Sequence, residues 1–272
     1  MTMTIRRIFV CAAAAACVVA TSGTAQAQYG RRPVSTPSVG EDYHVEASLT
    51  FWRPDPAIEI ASESLGIAGT TIDAVEDLGF ESRSFADLKF VLRPTEKFKF
   101  RIGYTPIKYE TESILQRDIV FNGQRYSVGL PVNTDFEWKA WRFGIEYDFI
   151  YRDRGFAGFI VEAKYTDLNV QLDSPVTSEF THVKAPIPTI GGIGRVYVHD
   201  NVSITGELTG LSLNIDDNEG RYFDFDLYGT FNINNNVGAQ VGFRRVTVHY
   251  VVDEDSGDLK VGGLYFGGVA RF

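Results

Sequence analysis

The sequence predicts an all-β protein: an antiparallel up-and-down transmembrane β-barrel of about ten strands, with eight or twelve also compatible, preceded by a cleaved signal peptide. Three observations carry this. The chain opens with an export leader, and no later segment holds 18 continuous apolar residues, so no transmembrane helix is available. In addition, segments of about ten residues alternate apolar and polar side chains along most of the chain. A chain that enters lipid without an apolar helix must satisfy its backbone between strands, and a closed barrel does so.

The leader comes first. Met1–Arg7 carries Arg6 and Arg7 and no acid, and residues 8–20 form an apolar run. At about 13 residues that run is too short for the roughly 20 that a spanning helix needs. Ala25 and Ala27 supply a small-x-small pattern, so cleavage is expected after Ala27, leaving Gln28 as the new N-terminus. Ala14-Ala15-Ala16-Cys17 imitates a lipid-attachment box but lacks its usual leucine. Cys11 and Cys17 both leave with the leader, which removes disulfides, thiol nucleophiles and Cys-based zinc sites from the mature chain. The expected organisation is a signal peptide at 1–27, an N-terminal periplasmic segment at 28–42 and a barrel at 43–272 with a long outer loop at 54–83.

Loss of Arg6 and Arg7 leaves 24 of the 26 basic residues against all 35 acids, so net charge moves from −9 to −11. An acidic chain without a basic cluster is not a nucleic-acid binder.

The strands are expected near 43–53, 84–93, 97–121, 124–149, 156–172, 187–199, 202–214, 221–233, 237–252 and 258–272. Successive side chains on a strand point to opposite faces. In residues 223–233 one face is Phe223, Phe225, Leu227, Gly229, Phe231 and Ile233, and the other is Asp224, Asp226, Tyr228, Thr230 and Asn232. The same dyad recurs in residues 45–52, 86–93, 98–105, 141–149 and 157–166. Short turns at 94–97, 152–155, 199–201 and 234–236 alternate with longer connections, which is the barrel rule and separates this reading from a soluble sandwich. Phe98, Phe149, Tyr151, Phe156, Phe231 and Phe272 stand near the short turns and are expected to form an interfacial girdle.

Asn122-Gly123 is a strong two-residue hairpin signal. Pairing around it sets Phe98 opposite Tyr147 and makes the third and fourth strands longer than a bilayer requires, so a β-ribbon is expected to project outward. Pro131 on the return strand suggests a bulge or an open edge. Parity slips near Asp167 and near Arg244-Arg245 point to bulges or to the end of the lipid band. The loop at 54–83 carries Glu59, Glu63, Asp73, Glu76, Asp77 and Glu81 against Arg83. It reads as a solvated loop, or as a lid, a plug or a cation-attracting surface, and residues 73–80 are apolar enough to pack on the barrel rim.

The last strand has alternating apolar positions, Leu264, Phe266, Gly268, Ala270 and Phe272, and ends on an aromatic. This resembles the terminal signature of Gram-negative outer-membrane barrels, and the whole mature chain resembles small barrels of the OmpA-like and porin-like class. The resemblance implies insertion by the barrel-assembly machinery, residence in the Gram-negative outer membrane, and contact with lipid and lipopolysaccharide.

Strand parity points Glu46, Asp87, Lys89, Arg101, Arg142, Glu146, Glu162, Lys164, Arg195, Glu207, Asp224, Asp226, Gln240, Arg244 and Arg271 into the lumen. A ten-stranded interior is narrow, and unpaired charges there are costly, so a salt-bridged core is expected. The same residues would otherwise line a thin channel or a pocket for a small solute. For catalysis, His44 and His199 fall at the periplasmic end and His182 and His249 toward the outer end, with His249 near Asp253 and Glu254. A nucleophile needs a base within hydrogen-bond reach, and no serine is placed beside any of them. No catalytic residue, cofactor or metal site is expected, since no histidines pair at ligand spacing. Gly191-Gly192-Ile193-Gly194 lies inside a strand with no helix after it, so it is not a phosphate loop. The function expected is a non-enzymatic outer-membrane barrel, structural or narrowly permeable, with loops at the surface. A small-solute channel or ligand-binding barrel is the second reading, and a barrel enzyme acting on lipid or peptide the third.

Overall fold

A computed structural model describes residues 38–61, 70–121, 123–175, 177–215, 218–252 and 255–272; the leader, its cleavage site and Asn122 lie outside them. Thirteen strands occur there: β1 (Val45–Ala61), β2 (Ile72–Asp73), β3 (Phe85–Thr95), β4 (Phe98–Ile114), β5 (Ile119–Phe121), β6 (Gln124–Tyr126), β7 (Pro131–Arg152), β8 (Gly155–Asp173), β9 (Ser178–His199), β10 (Val202–Ile215), β11 (Asn218–Asn232), β12 (Val237–Val252) and β13 (Asp255–Arg271). Ten of them, all but β2, β5 and β6, form one antiparallel meander that closes on itself by pairing β1 with β13, from Glu46↔Arg271 to Ala61↔Ser256. An even strand count returns both ends of the barrel to one side.

The exposed face explains the closure. On β11, Phe223, Phe225, Leu227 and Phe231 point outward and are exposed, whereas Tyr222, Asp224, Tyr228 and Thr230 are buried. A soluble sandwich has the reverse arrangement. An apolar outer wall around a polar interior is the pattern of a barrel bathed in lipid.

Four turns on the side of the termini are short, at 96–97, 153–154, 200–201 and 233–236. On the other side only the first two connections are long. The expectation of long outer loops throughout is corrected: β8–β9, β10–β11 and β12–β13 stay paired to their tips at Asp173↔Ser178, Ile215↔Asn218 and Val252↔Asp255. The outer surface there is built by extended strands instead.

The first outer connection also begins later than residue 54, because β1 runs on to Ala61. Pro54 and Pro56 are compatible with that strand. Ile58 accepts from the Ala74 N–H, so even-numbered residues of β1 present their backbone toward β3, and β1 pairs with β3 only through Trp52↔Phe85. The missing proline N–H groups therefore fall on an open edge.

The hairpin register sets Phe98 opposite Tyr147 and continues to Phe121↔Gln124. Its tip, however, does not project freely. Leu115, Ile119, Phe121 and Tyr126 are buried against the inner wall, because apolar side chains at the tip gain more from burial than from standing in water. Pro131 makes no bulge; it opens β7 as its first residue, where proline is tolerated.

Register runs unbroken through Asp167, which pairs with Lys139 and Lys184, and through Arg245, which pairs with Phe225 and Gly262. The parity slips there mark the upper edge of the lipid band. Register shifts lie by the short turns, at Leu92/Thr95, Asp148/Ile150 and Val202/Ser203. The second reverses the facing of the residues after it, so Tyr151 pairs with Phe156 on the inner side and neither belongs to the girdle. Phe149, Phe231 and Phe272 do face outward. A further aromatic row, Tyr104, Trp141 and Tyr165 on adjacent strands, stands near the upper edge of the band, with Tyr104 and Trp141 stacked at 4.2 Å. Gly191 shows why β9 needs glycine: a Cβ there would stand 1.8 Å from the Leu208 carbonyl oxygen.

Candidate functional site: the lumen and its two closures

The half of the lumen nearer the termini is ionic. Among the described residues it holds nine cations (Lys89, Arg93, Lys99, Arg101, Arg142, Lys164, Arg195, Arg244, Arg271) and nine carboxylates (Glu41, Glu46, Asp87, Glu146, Asp148, Glu162, Glu207, Asp224, Asp226). All fifteen residues that parity points inward are in this region, Gln240 donating to Thr230. Each cation has a carboxylate within 4 Å. Arg271 meets Glu46 at 2.6 Å. Arg142 meets Asp87 at 2.9 Å, and Arg244 bridges Asp87 at 3.1 Å and Asp224 at 2.8 Å. Lys164 reaches Asp224 at 2.6 Å and Glu162 at 3.4 Å. Asp226 is held differently, accepting from the Tyr265 hydroxyl at 2.7 Å.

The most consequential contacts cross the barrel. Lys89 on β3 reaches Glu207 on β10 at 2.5 Å, and Arg101 on β4 donates to the same carboxylate. These strands lie on opposite walls. The bridge therefore spans the lumen. Arg101 also meets Glu146 at 2.8 Å, and Glu146 takes Lys99 at 2.6 Å, so the network is continuous along both walls. Cations rest on aromatic faces below it, with Lys99 Nζ 3.7 Å from the Phe156 ring centre.

Sequence reasoning omitted Arg93, Lys99, Asp148 and Glu41 from this network. The parity that selects Arg101 and Glu146 also selects Lys99 and Asp148 two residues away. Glu41 lies in no strand and gave no such signal. Residues 38–43 run across the end of the barrel that carries the short turns: Val39 N–H donates to Asp200 O at 3.0 Å, Ser38 bonds the Asp153 carbonyl, and Gly40 N–H reaches Asn235. This strap lowers Glu41 into the lumen, where it meets Arg195 at 3.3 Å and accepts from Tyr197 at 2.9 Å.

The outer half is apolar and filled. Ile72, Ala74, Leu78 and Phe80 of the first outer connection pack inside against Ile58, Ile107, Tyr109, Phe136 and Trp138. Phe80 stacks on Tyr109 with ring centres 4.8 Å apart and meets Phe136 edge-on at 5.8 Å. The hairpin tip covers this plug, with Val120 N–H donating to Thr70 Oγ1 at 2.8 Å. Arg117 locks both parts by donating to Asp77 at 2.8 and 2.5 Å. The Arg117 guanidinium holds the Asp77 carboxyl below its ordinary range.

Between the closures, voids of about 20 Å³ and 10 Å³ lie within the ionic half, each the size of about one water. The larger is lined by Asp226, Tyr265, Gln240, Asp87 and Arg244 among others. The histidines are elsewhere. His182 pairs with Asp167 at 2.7 Å and His249 with Asp258 at 3.1 Å; Asp253 and Glu254 lie outside the described residues. Both pairs stand on the outward face of the strand extensions. Among the described residues no three His, Cys, Asp or Glu side chains are grouped to hold a metal ion.

No protein-family model matches the chain, and no curated protein matches it in sequence. Among solved structures it is similar to the outer-membrane protease OmpT of Escherichia coli, with TM-score 0.53 and 7% identity over 87% of this chain and 99% of that one. It also matches the toluene transporter TodX of Pseudomonas putida, with TM-score 0.35, 9% identity and coverage of 84% and 90%. The attachment invasion locus protein Ail of Yersinia pestis gives TM-score 0.34, 13% identity and coverage of 84% and 99%. The likeness to OmpT is one of fold alone. With the closed ten-strand meander and the inverted polarity of its walls, it defines the class: the chain is a small β-barrel membrane protein of the outer-membrane type.

Proposed function

We propose that this protein is a non-enzymatic structural barrel of the Gram-negative outer membrane whose lumen is a closed, salt-bridged core. The observation that carries this reading is the bridge across the barrel, where Lys89 and Arg101 meet Glu207 on the far wall. Charges buried in a narrow barrel are stable when paired, and here the pairing occupies the space a solute would need. The balance of nine cations against nine carboxylates supports a structural use, because a conducting lumen selects ions by an excess of one sign. The two His–Asp pairs sit outside the lumen, without a built pocket, and this favours a non-enzymatic role. On this reading the leader is cleaved after Ala27, the Leu264–Phe272 face is read by the assembly machinery, and the lipid-facing wall meets lipopolysaccharide.

A binding site for one small polar guest is the second reading, favoured by the roughly 20 Å³ void beside Asp226. Liposome swelling tests the first reading. Vesicles carrying the folded, heat-modifiable mature protein are expected to exclude small sugars and amino acids as empty vesicles do. Uptake that rises with protein content contradicts it.

A further inference from the structure

We infer that the outer wall formed by β12, β13 and β1 carries a binding notch for a phosphate group of an outer-leaflet glycolipid. Gly262 is the floor. In the register it lies between Arg245 on β12 and Asp55 on β1, while Arg53 stands one outward position lower on β1, opposite Leu264. Neighbouring strands are about 4.8 Å apart, so two long arginine side chains on either side of a bare glycine can converge above it. Arg245 already leans that way, since a Cβ at Gly262 would stand 3.3 Å from its Cγ. Lys260, on the same strand, is paired with Asp258 at 3.7 Å and leaves the notch to the two arginines. Asp55, the nearby carboxylate, accepts from the Ser82 hydroxyl.

Two features separate this notch from ordinary surface charge. Four other outward cations near the upper edge of the lipid band have carboxylate partners: Lys108 with Glu110 at 2.6 Å, Lys139 with Glu137 at 2.9 Å, Lys184 with Asp167 at 3.4 Å and Arg221 with Glu219 at 2.5 Å. Among the described residues Arg53 and Arg245 have none. Directly below them stand some of the most exposed apolar side chains of the wall, Leu264 at 68% and Phe266 at 65%. Unpaired guanidinium groups above an oily strip match a phosphate carried on acyl chains. Guanidinium forks bind phosphate by paired, charge-assisted hydrogen bonds. The inference rests on outer-membrane placement with the short turns in the periplasm, and is independent of whether the lumen conducts.

The test is binding of bisphosphorylated lipid A to the folded mature protein in detergent, read by native mass spectrometry. Wild type is expected to retain this lipid, and the Arg53→Gln/Arg245→Gln variant to bind it about tenfold more weakly or worse. Lipid A stripped of phosphate should bind both proteins equally weakly. Lys139→Gln/Lys184→Gln, with the same change of charge on the opposite wall, should bind like wild type. Gly262→Val, which fills the floor and keeps both arginines, should lose affinity, so the result does not depend on one variant folding. Each protein is first checked for heat-modifiable migration, which reports the barrel separately from the notch. Unchanged binding by Arg53→Gln/Arg245→Gln overturns the inference. An equal loss in Lys139→Gln/Lys184→Gln, or inorganic phosphate binding as tightly as the lipid, overturns it as well.

Discussion

Arg117, on the connection after β4, grips Asp77 in the first outer loop through two hydrogen bonds of 2.8 and 2.5 Å. One side chain thus fastens the hairpin tip to the plug that fills the outer half of the barrel. Asp77 is almost fully buried, while the Arg117 side chain is about half exposed. A pair of that exposure contributes about 1 kcal/mol. Arg117→Ala should therefore raise amide exchange in residues 70–80 roughly fivefold and leave exchange in β11 and β12 unchanged. Exchange mass spectrometry resolves the two regions.

The same contact sets a pH dependence. The Asp77 carboxyl is held below its ordinary value by Arg117. A depressed carboxyl contributes stability that is fully present above its unfolded value, about 4, and is lost as pH falls through the folded value. Protease sensitivity of residues 70–80 should stay flat from neutral pH down to about 4 and rise below it. In Asp77→Asn the rise should be absent, with sensitivity high throughout.

Glu207 is the keystone of the ionic half, because Lys89 and Arg101 both depend on it. Glu207→Gln strands the buried Lys89 and leaves Arg101 to Glu146 and Glu162, and breaking a buried pair in this way costs about 3–5 kcal/mol. Urea unfolding from lipid vesicles should show that loss. Arg154→Ala, at the exposed Arg154–Asp200 pair, should unfold like wild type.

The strap of residues 38–43 makes a smaller, separable contribution. Arg93 keeps the carbonyls of Glu41 and Glu96 when the Glu41 side chain is changed, so Glu41→Gln weakens mainly the Arg195 and Tyr197 contacts. A loss of about 1–3 kcal/mol is expected, smaller than that of Glu207→Gln. The temperature of heat modification on gels should rank the proteins as wild type, Glu41→Gln, then Glu207→Gln.

Strand positions were legible because lipid imposes a period of two on each crossing, and because the two-residue turn after Phe121 sets the register down to Phe98 opposite Tyr147. Three features were not. The shift at Asp148/Ile150 turns Tyr151 inward, and nothing in the composition there announces an extra residue, whereas Phe156 faces inward by the ordinary alternation of β8. Glu41 enters the lumen from an irregular segment, where parity has no meaning. Ile107, Tyr109, Phe136 and Trp138 face inward above the ionic half, so a rule that expects polar residues inside misreads the outer lumen, whose inner wall is apolar because a plug covers it.

If the lumen is closed by its own ion pairs, it conducts no ions, and single-channel recording from the refolded mature protein in planar bilayers reads this. Wild type is expected to leave the bilayer quiet in a preparation already shown to be folded by heat-modifiable migration. Steady unit conductance that changes when Arg142 or Asp226 is replaced would contradict it, because the current would then run through the space that Lys89, Arg101 and Glu207 are held to fill.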